Sequence, residues 1–164
     1  MIIVLIGVAG SGKTTLGKNL AARLEVAFLD ADTLHTPECT EQMARGVPLS
    51  DHQRDAWIDR VAAAARAQDP LVLACSALRR AHRDRLRAVG GVRMFLLDAP
   101  TSVLERRLGR RADHFFPPGL LRSQLETLER PLSEEGVVTI DAARPAEAVL
   151  DAIVDQLEPN HRMP

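Results

Sequence analysis

Tyrosine is absent from this 164-residue chain, and one tryptophan and four phenylalanines bring aromatic residues to only 3%. The core therefore has to be packed mostly from Ala, Leu, Val and Ile, and few rings are available for the stacking platforms that hold single-stranded bases. Charge of one sign is also lacking. A net charge of −1, from 21 Lys and Arg against 22 Asp and Glu, argues against a general affinity for nucleic acid or an acidic membrane surface. Of the two cysteines, Cys39 sits in a polar stretch and Cys75 ends an apolar run, so no disulfide framework is expected and a reducing cytosol fits. No apolar run reaches membrane length, and no charged start precedes an apolar core and a small-residue cleavage site. Internal repeats, low-complexity segments and linkers are missing too. These absences lead us to expect a cytoplasmic protein with no nucleic-acid or membrane partner, long enough for one domain.

What is present begins at the seventh residue. Gly7-Val8-Ala9-Gly10-Ser11-Gly12-Lys13-Thr14 fits the phosphate-loop pattern G-x-x-x-x-G-K-[ST] at every fixed position. The apolar run Ile2-Ile3-Val4-Leu5-Ile6 before it predicts a buried strand, and Leu16, Leu20 and Leu24 after it predict a helix. Glycines let the backbone curl so that N–H groups face phosphate oxygens, and the helix N-terminus adds about half a positive charge. Gly7, Gly10, Ser11, Gly12, Lys13, Thr14 and Thr15 are therefore assigned to a nucleoside triphosphate. Lys13 is expected on its β- and γ-phosphates, and the Thr14 hydroxyl on Mg²⁺.

Further apolar runs predict strands at 26–29, 71–75, 92–97 and 136–140, with helices between them. Residues 33–45 are helical or irregular. Ser50 with Gln53 forms a capping box for a helix to about residue 68. A strongly basic helix covers roughly 77–89, another begins at Pro100, a third covers 119–130, and Pro145 opens the last. Apolar strands without alternation, separated by helices, mean a parallel sheet covered on both faces. The expected fold is α/β: a three-layer kinase-type arrangement with a five-stranded parallel sheet. It spans 1–158, with a helical lid at about 106–118 and a frayed tail at 159–164.

Ligands in such sheets sit beyond the carboxyl ends of the strands. That rule gathers the phosphate loop, Asp30 and Asp32, Ser76, Asp98 and the loop after Ile140. Asp30 and Asp32 suit the two carboxylate roles of phosphoryl transfer, metal support and proton acceptance, although Asp32 could instead cap the next helix. Asp98 either ends a Walker B-like strand or caps the helix after Pro100. Arg106, Arg107, Arg110 and Arg111 recur at i,i+4 beside His114-Phe115-Phe116, which suits a lid over a triphosphate. The arginines at 79, 80, 83, 85 and 87 predict a solvated face, with Arg79 or Arg80 able to contact an anion. Trp57 is expected in the core.

Taken together, these blocks resemble the gluconate kinases, small P-loop sugar-acid kinases related to shikimate and nucleoside monophosphate kinases. Phe28-Leu29-Asp30-Ala31-Asp32-Thr33-Leu34-His35 is similar to the family's F-x-D-G-D-x-L-H. Met43, Gly46, Pro48-Leu49, Asp51, Arg54 and Trp57 follow its K-M-x-x-G-x-P-L-x-D-x-x-R-x-x-W. Cys75-Ser76-Ala77-Leu78-Arg79-Arg80 with Arg83-Asp84 and Leu86-Arg87 follows C-S-A-L-K-[KR]-x-Y-R-D-x-L-R. Arg107-Leu108, Arg111, His114-Phe115, Ser123-Gln124, Leu128-Glu129 and Pro131 follow R-L-x-x-R-x-x-H-F and S-Q-x-x-x-L-E-x-P. The chain departs from the family at Ala31, at Thr36 before Pro37, and at Cys39, Gln42, Arg79 and His82, where the family has glycine, an earlier proline, asparagine, lysine, lysine and tyrosine.

The resemblance implies transfer of the ATP γ-phosphate to the 6-hydroxyl of D-gluconate. Asp32 is then the base, with Lys13 and Arg111 also catalytic, and Thr14 and Asp30 around Mg²⁺. Arg54, with His35, Ser76 or Arg79, holds the sugar acid. Arg107 and Arg111 serve the nucleotide from the lid, His114 serves the acceptor, and a homodimer is left open. The alternatives are another small-molecule P-loop kinase, acting on shikimate or a nucleotide, and a non-catalytic nucleotide switch. Against a GTPase switch, the chain has no N-K-x-D and no D-x-x-G motif.

Overall fold

Residues 1–110 and 118–157 are described by a computed structural model of the chain. Five strands, β1 (Ile2–Ile6), β2 (Ala27–Asp30), β3 (Leu71–Ala74), β4 (Val92–Asp98) and β5 (Val138–Asp141), form one sheet in the order β2-β3-β1-β4-β5. Every pairing is parallel. All five carboxyl ends therefore lie along one edge. The helices are α1 (Lys13–Leu24), α2 (Pro37–Ala44), α3 (Asp51–Ala67), α4 (Arg80–Arg87), α5 (Thr101–Gly109), α6 (Pro118–Thr127) and α7 (Ala146–Leu157).

The strands read as unbroken apolar runs because each face of the sheet has its own core. On β1, Ile2, Val4 and Ile6 join one cluster and Ile3 and Leu5 the other. β3 and β4 alternate in the same way, with Leu71, Leu73, Met94 and Leu96 on the first face and Val72, Phe95 and Leu97 on the second. The first face is covered by Trp57, Ile58, Val61 and Ala65 of α3 and Leu86 of α4, the second by Leu16 and Leu20 of α1 and Val149, Leu150 and Ile153 of α7. Burial of each such side chain contributes ~1.5–3 kcal/mol.

The element boundaries follow the expectation to within one to three residues, with instructive differences. The stretch before Gly46 divides into a 3-10 turn at Ala31–Leu34 and α2, which is capped by the Thr36 hydroxyl. The Ser50–Gln53 capping box opens α3 as expected. Asp98 does not cap α5, which has no side-chain cap. Both Asp98 carboxylate oxygens accept from Arg130, at 2.6 and 3.2 Å. The two cysteines are free, and both are buried, Cys39 included. Among the described residues no helix is long and apolar enough to cross a membrane.

The largest correction concerns α4. Arg80 and Arg85 are solvated as expected, but Arg83 is wholly buried. The Arg83 guanidinium grips Glu135 with two parallel bonds, Nε to Oε2 at 2.7 Å and Nη2 to Oε1 at 2.9 Å. Its remaining nitrogen donates to the carbonyls of Leu78 and Glu129 at 3.1 and 3.0 Å. Arg87 adds a contact to Glu135 at 3.1 Å. A buried charge is tolerable only when its partners are this complete.

Hydrogen bonding from Arg83, which outweighs the effect of burial, holds the Glu135 carboxyl at about 2, against an ordinary 4.5. A carboxylate with a depressed folded pKa contributes stability that is complete above its unfolded pKa and lost as pH falls through the folded one. Stability should therefore decline from about pH 4.5 toward pH 2. Glu135→Gln should remove that contribution and, by leaving the buried Arg83 charge uncompensated, cost ~3–5 kcal/mol, a fall in melting temperature of roughly 10 °C or more. Thermal unfolding followed by circular dichroism between pH 2 and pH 7 checks both. Identical pH slopes for the two proteins would refute the ion pair's role.

Candidate active site

The phosphate loop leaves β1 between its neighbours β3 and β4. Gly7 and Gly10 have φ of +145° and +80°, and Gly12, at +95°, is the N-cap of α1. Only glycine adopts these values cheaply. A Cβ at Gly7 would stand 2.8 Å from the Leu97 carbonyl oxygen, and one at Gly10 2.9 Å from that of Leu104. Lys13 opens α1 and its Nζ curls back to donate to the Val8 carbonyl at 3.0 Å, as an ammonium wrapped over its own loop must. The Ser11 hydroxyl is buried with no hydrogen-bond partner. Thr15 lies exposed on the first turn of α1.

Thr14 Oγ1 donates to Asp30 Oδ2 at 2.7 Å, so the end of β2 meets the start of α1. Asp30, not Asp32, is the cap of the 3-10 turn, its Oδ1 accepting the Asp32 N–H at 3.1 Å. The Asp32 side chain is consequently released and is 73% exposed. Among the described residues no group of three or more His, Cys, Asp or Glu could hold a metal ion. A hydroxyl and a carboxylate in contact suit Mg²⁺, which commonly takes one or two protein oxygens and completes its shell with water and substrate phosphates.

The far side of the crevice comes from α3 and the segment after β3. Arg79 Nη1 lies 2.9 Å from Asp51 Oδ2, and Arg54 Nη1 lies 3.4 Å from Asp51 Oδ1. Two guanidinium groups thus converge on one carboxylate. Ser76 accepts the Gly7 N–H through its carbonyl at 3.3 Å, which sets the segment against the loop. The His35 ring stacks on Trp57 with centroids 4.5 Å apart and planes at 10°. Trp57 is core, as expected, and its Nε1–H also donates to the Ala31 carbonyl at 2.8 Å. Arg107 donates to the Ala142 carbonyl at 2.7 Å, which ties α5 to the loop after β5. Arg111 and His114 lie outside the described residues. A cleft of about 550 Å³ opens between β4, α5 and α6, with Val8, Leu97, Leu104, Leu128, Asp98 and Arg130 in its walls. None of Asp30, Asp32, Arg54, Ser76 or Arg79 lines it.

Comparison with known proteins fits this geometry. The AAA domain family matches residues 2–131. A gluconokinase of Gluconobacter oxydans (strain 621H) is 38% identical over 157 residues, covering 93% of this chain and 88% of that protein. The thermosensitive gluconokinase of Escherichia coli (strain K12) is 40% identical over 144 residues, covering 84% and 77%. The chain belongs to the gluconokinase family. The crystal structure of a gluconokinase from Sinorhizobium meliloti 1021 superposes with a TM-score of 0.82 at 36% identity, covering 94% of each chain.

Membership of the gluconokinase family gives the late sequence blocks a physical reading that residue types alone did not suggest. Gln124 Oε1 accepts the N–H of Ala9, inside the phosphate loop, at 2.7 Å. Glu129 accepts the Arg80 N–H at 2.7 Å and donates its own N–H to the Leu78 carbonyl at 2.9 Å. The stretch from Gln124 to Glu135 therefore braces both the loop and the segment carrying Arg79. A local signal for these contacts does not exist, since Gln124 and Ala9 are 115 residues apart.

If Gln124 holds the loop open, Gln124→Leu should leave the Ala9 N–H without its acceptor, at ~1–3 kcal/mol. The expected result is a KM for ATP raised roughly five- to 150-fold, with a melting temperature within about 10 °C of wild type. Steady-state kinetics checks it, and an unchanged KM for ATP would reduce Gln124 to a surface contact.

Proposed function

We propose that this chain transfers the γ-phosphoryl group of ATP to the C6 hydroxyl of D-gluconate, giving 6-phospho-D-gluconate and ADP. The observation that carries the reading is that the phosphate loop, the Thr14–Asp30 pair and an exposed Asp32 share one edge of the sheet, in a chain of the gluconokinase family. Asp32 takes the proton of the acceptor hydroxyl. The freed oxygen forms the new P–O bond as the bond to the β-phosphate bridging oxygen breaks, and ADP leaves with that electron pair. Lys13 and the loop N–H groups stabilise charge on the transferring phosphate, and Arg111 is assigned to the same charge from the lid at 106–118. Thr14 and Asp30 would hold Mg²⁺, which supplies positive charge to the phosphate oxygens.

Arg54 and Arg79 are the pair that fits the carboxylate of the sugar acid. Planar guanidinium groups meet carboxylates with two-pronged contacts, and here both already reach one carboxylate, that of Asp51. Ser76 and His114 complete the acceptor side, and Arg107 the nucleotide side. The same reading makes 1–158 one kinase domain, acting in the cytoplasm on a small molecule, with no nucleic-acid or membrane partner, as a monomer or a homodimer. The near-neutral net charge supports it.

An ADP-release assay across gluconate, ribonate and shikimate tests the acceptor. Gluconate should give the highest kcat/KM, and a preference for shikimate would overturn the reading. In the same assay Asp32→Asn should lower kcat ~10²-fold or more with little change in ATP affinity. Loss of ATP affinity with kcat retained would move Asp32 to the metal.

Arg54→Met should raise the KM for gluconate by roughly one to two orders of magnitude, because a charge-assisted hydrogen bond contributes ~1.5–3 kcal/mol. The KM for ATP should hardly move, and lysine should restore only part of the loss. An unchanged gluconate KM would leave Arg54 as no more than the helix-surface partner of Asp51.

A further inference from the structure

His35 is a buried ring with one sealed nitrogen. Its side chain is 6% exposed, and Nδ1 is buried with no hydrogen-bond partner. The other nitrogen, Nε2, faces Asp32 Oδ1 at 3.8 Å. A neutral imidazole has one N–H and one lone pair, and a sealed, unpartnered N–H is a costlier thing to bury than a lone pair. The proton therefore belongs on Nε2, the nitrogen that faces the carboxylate. Charging the ring would require a second proton on Nδ1, where nothing accepts it. Burial accordingly pushes the imidazole below its ordinary value. Of the charged groups that face it, Asp32 works in the opposite direction and Arg60 reinforces the shift.

The surroundings hold this arrangement still. Trp57 stacks on the imidazole and, through Nε1, pins the Ala31 carbonyl. Arg60 Nε donates to the Leu34 carbonyl at 3.0 Å. Both ends of the turn Ala31–Leu34 are thus bolted to α3, and the turn carries Asp32 at its middle. Asp32 itself remains rotatable, so less than an ångström of side-chain movement brings Oδ1 into hydrogen-bond range of Nε2, the kind of tightening that accompanies substrate binding.

We propose that His35 is the positioning residue of the base: an imidazole that donates Nε2–H to Asp32 Oδ1 and so turns the other carboxylate oxygen toward the acceptor hydroxyl. The proton of the hydroxyl goes to Asp32, and His35 keeps its own. This rests on Asp32 being the base, and it assigns His35 to the carboxylate rather than to the sugar.

The test compares His35→Phe, which keeps a ring for Trp57 but no donor, with His35→Gln, which keeps an N–H near the position of Nε2. Wild type, both variants, Asp32→Asn and the double variant Asp32→Asn/His35→Phe are assayed with gluconate and ATP, and melting temperatures are measured. His35→Phe should lower kcat roughly 10- to 100-fold with both KM values within about threefold of wild type. His35→Gln should recover at least half of that loss on a logarithmic scale. In the Asp32→Asn background, His35→Phe should cost less than threefold, because the residue it positions is gone. A raised gluconate KM with kcat retained, equal losses in the two single variants, or an undiminished effect in the Asp32→Asn background would each overturn the proposal. So would a kcat loss accompanied by a melting temperature lowered by more than about 10 °C, which would make the role structural. A wild type that does not phosphorylate gluconate would instead defeat the substrate assignment, so the two failures are told apart.

Discussion

The absence of a side chain at Gly7 and Gly10 is the constraint on which the rest of the molecule depends. The loop passes so close to the backbone of β4 and α5 that a methyl group at either position would overlap a carbonyl oxygen. The phosphate loop is therefore not a free-standing motif. Its curvature is set by the strand on one side, by the helix on the other, and by Gln124 reaching in from α6. That contact in turn requires β1 to be rigid, and all five of its residues are buried between two separate cores. A loop that must present N–H groups to phosphates without reorganising gains most from walls that cannot move.

The second requirement is a fixed segment after β3, and here a buried charge pair adds to the apolar packing. The segment that follows β3 buries Cys75, Ala77 and Leu78 in the core. It is fastened by Arg83, whose guanidinium reaches Glu135 and the carbonyls of Leu78 and Glu129 at once. Removing both charges for apolar groups could keep the stability, but an apolar side chain cannot hold three separate backbone and side-chain partners in register. The pair is better understood as fixing where Arg79 stands than as a source of stability alone.

Sequence pattern made the sheet legible because strands buried on both faces have no choice but to be apolar throughout. The phosphate loop was legible because its glycines are required by backbone geometry, and α3 because the Ser50 capping box is a local device. Asp30 as the cap of the next turn was within reach of the same logic. An Asp at the end of a strand, two residues before a free N–H, forms that bond readily, which leaves the Asp32 side chain free of capping. What was hidden lies at long range. Five arginines of similar character occupy positions 79 to 87, and nothing local distinguishes Arg83, whose partner is 52 residues away. Asp98 could not be resolved between two local roles because its real partner, Arg130, is 32 residues further on. Arg111 and His114, read from the lid pattern, lie outside the described residues.

The departures from the gluconokinase pattern at Ala31, Gln42, His82, Cys39 and Arg79 are absorbed where they occur. Ala31 is fully buried, and its carbonyl is the one that Trp57 holds, so a methyl group in place of the family's glycine fits the core. Gln42 exchanges amide hydrogen bonds with Gln53 and donates to the Pro48 carbonyl at 2.8 Å, which stiffens the entry to α3 without the family's lysine charge. His82 pairs with Asp55 of α3 at 3.3 Å, so a ring with a polar edge still joins α3 to α4. Cys39 is buried on α2, where a thiol behaves as a small hydrophobe. Arg79 is the change that pairs with Asp51. Its guanidinium and that of Arg54 share the Asp51 carboxylate, at 2.9 and 3.4 Å. The substitutions thus leave the turn that carries Asp32 and the pairing of Arg54 with Asp51 in place.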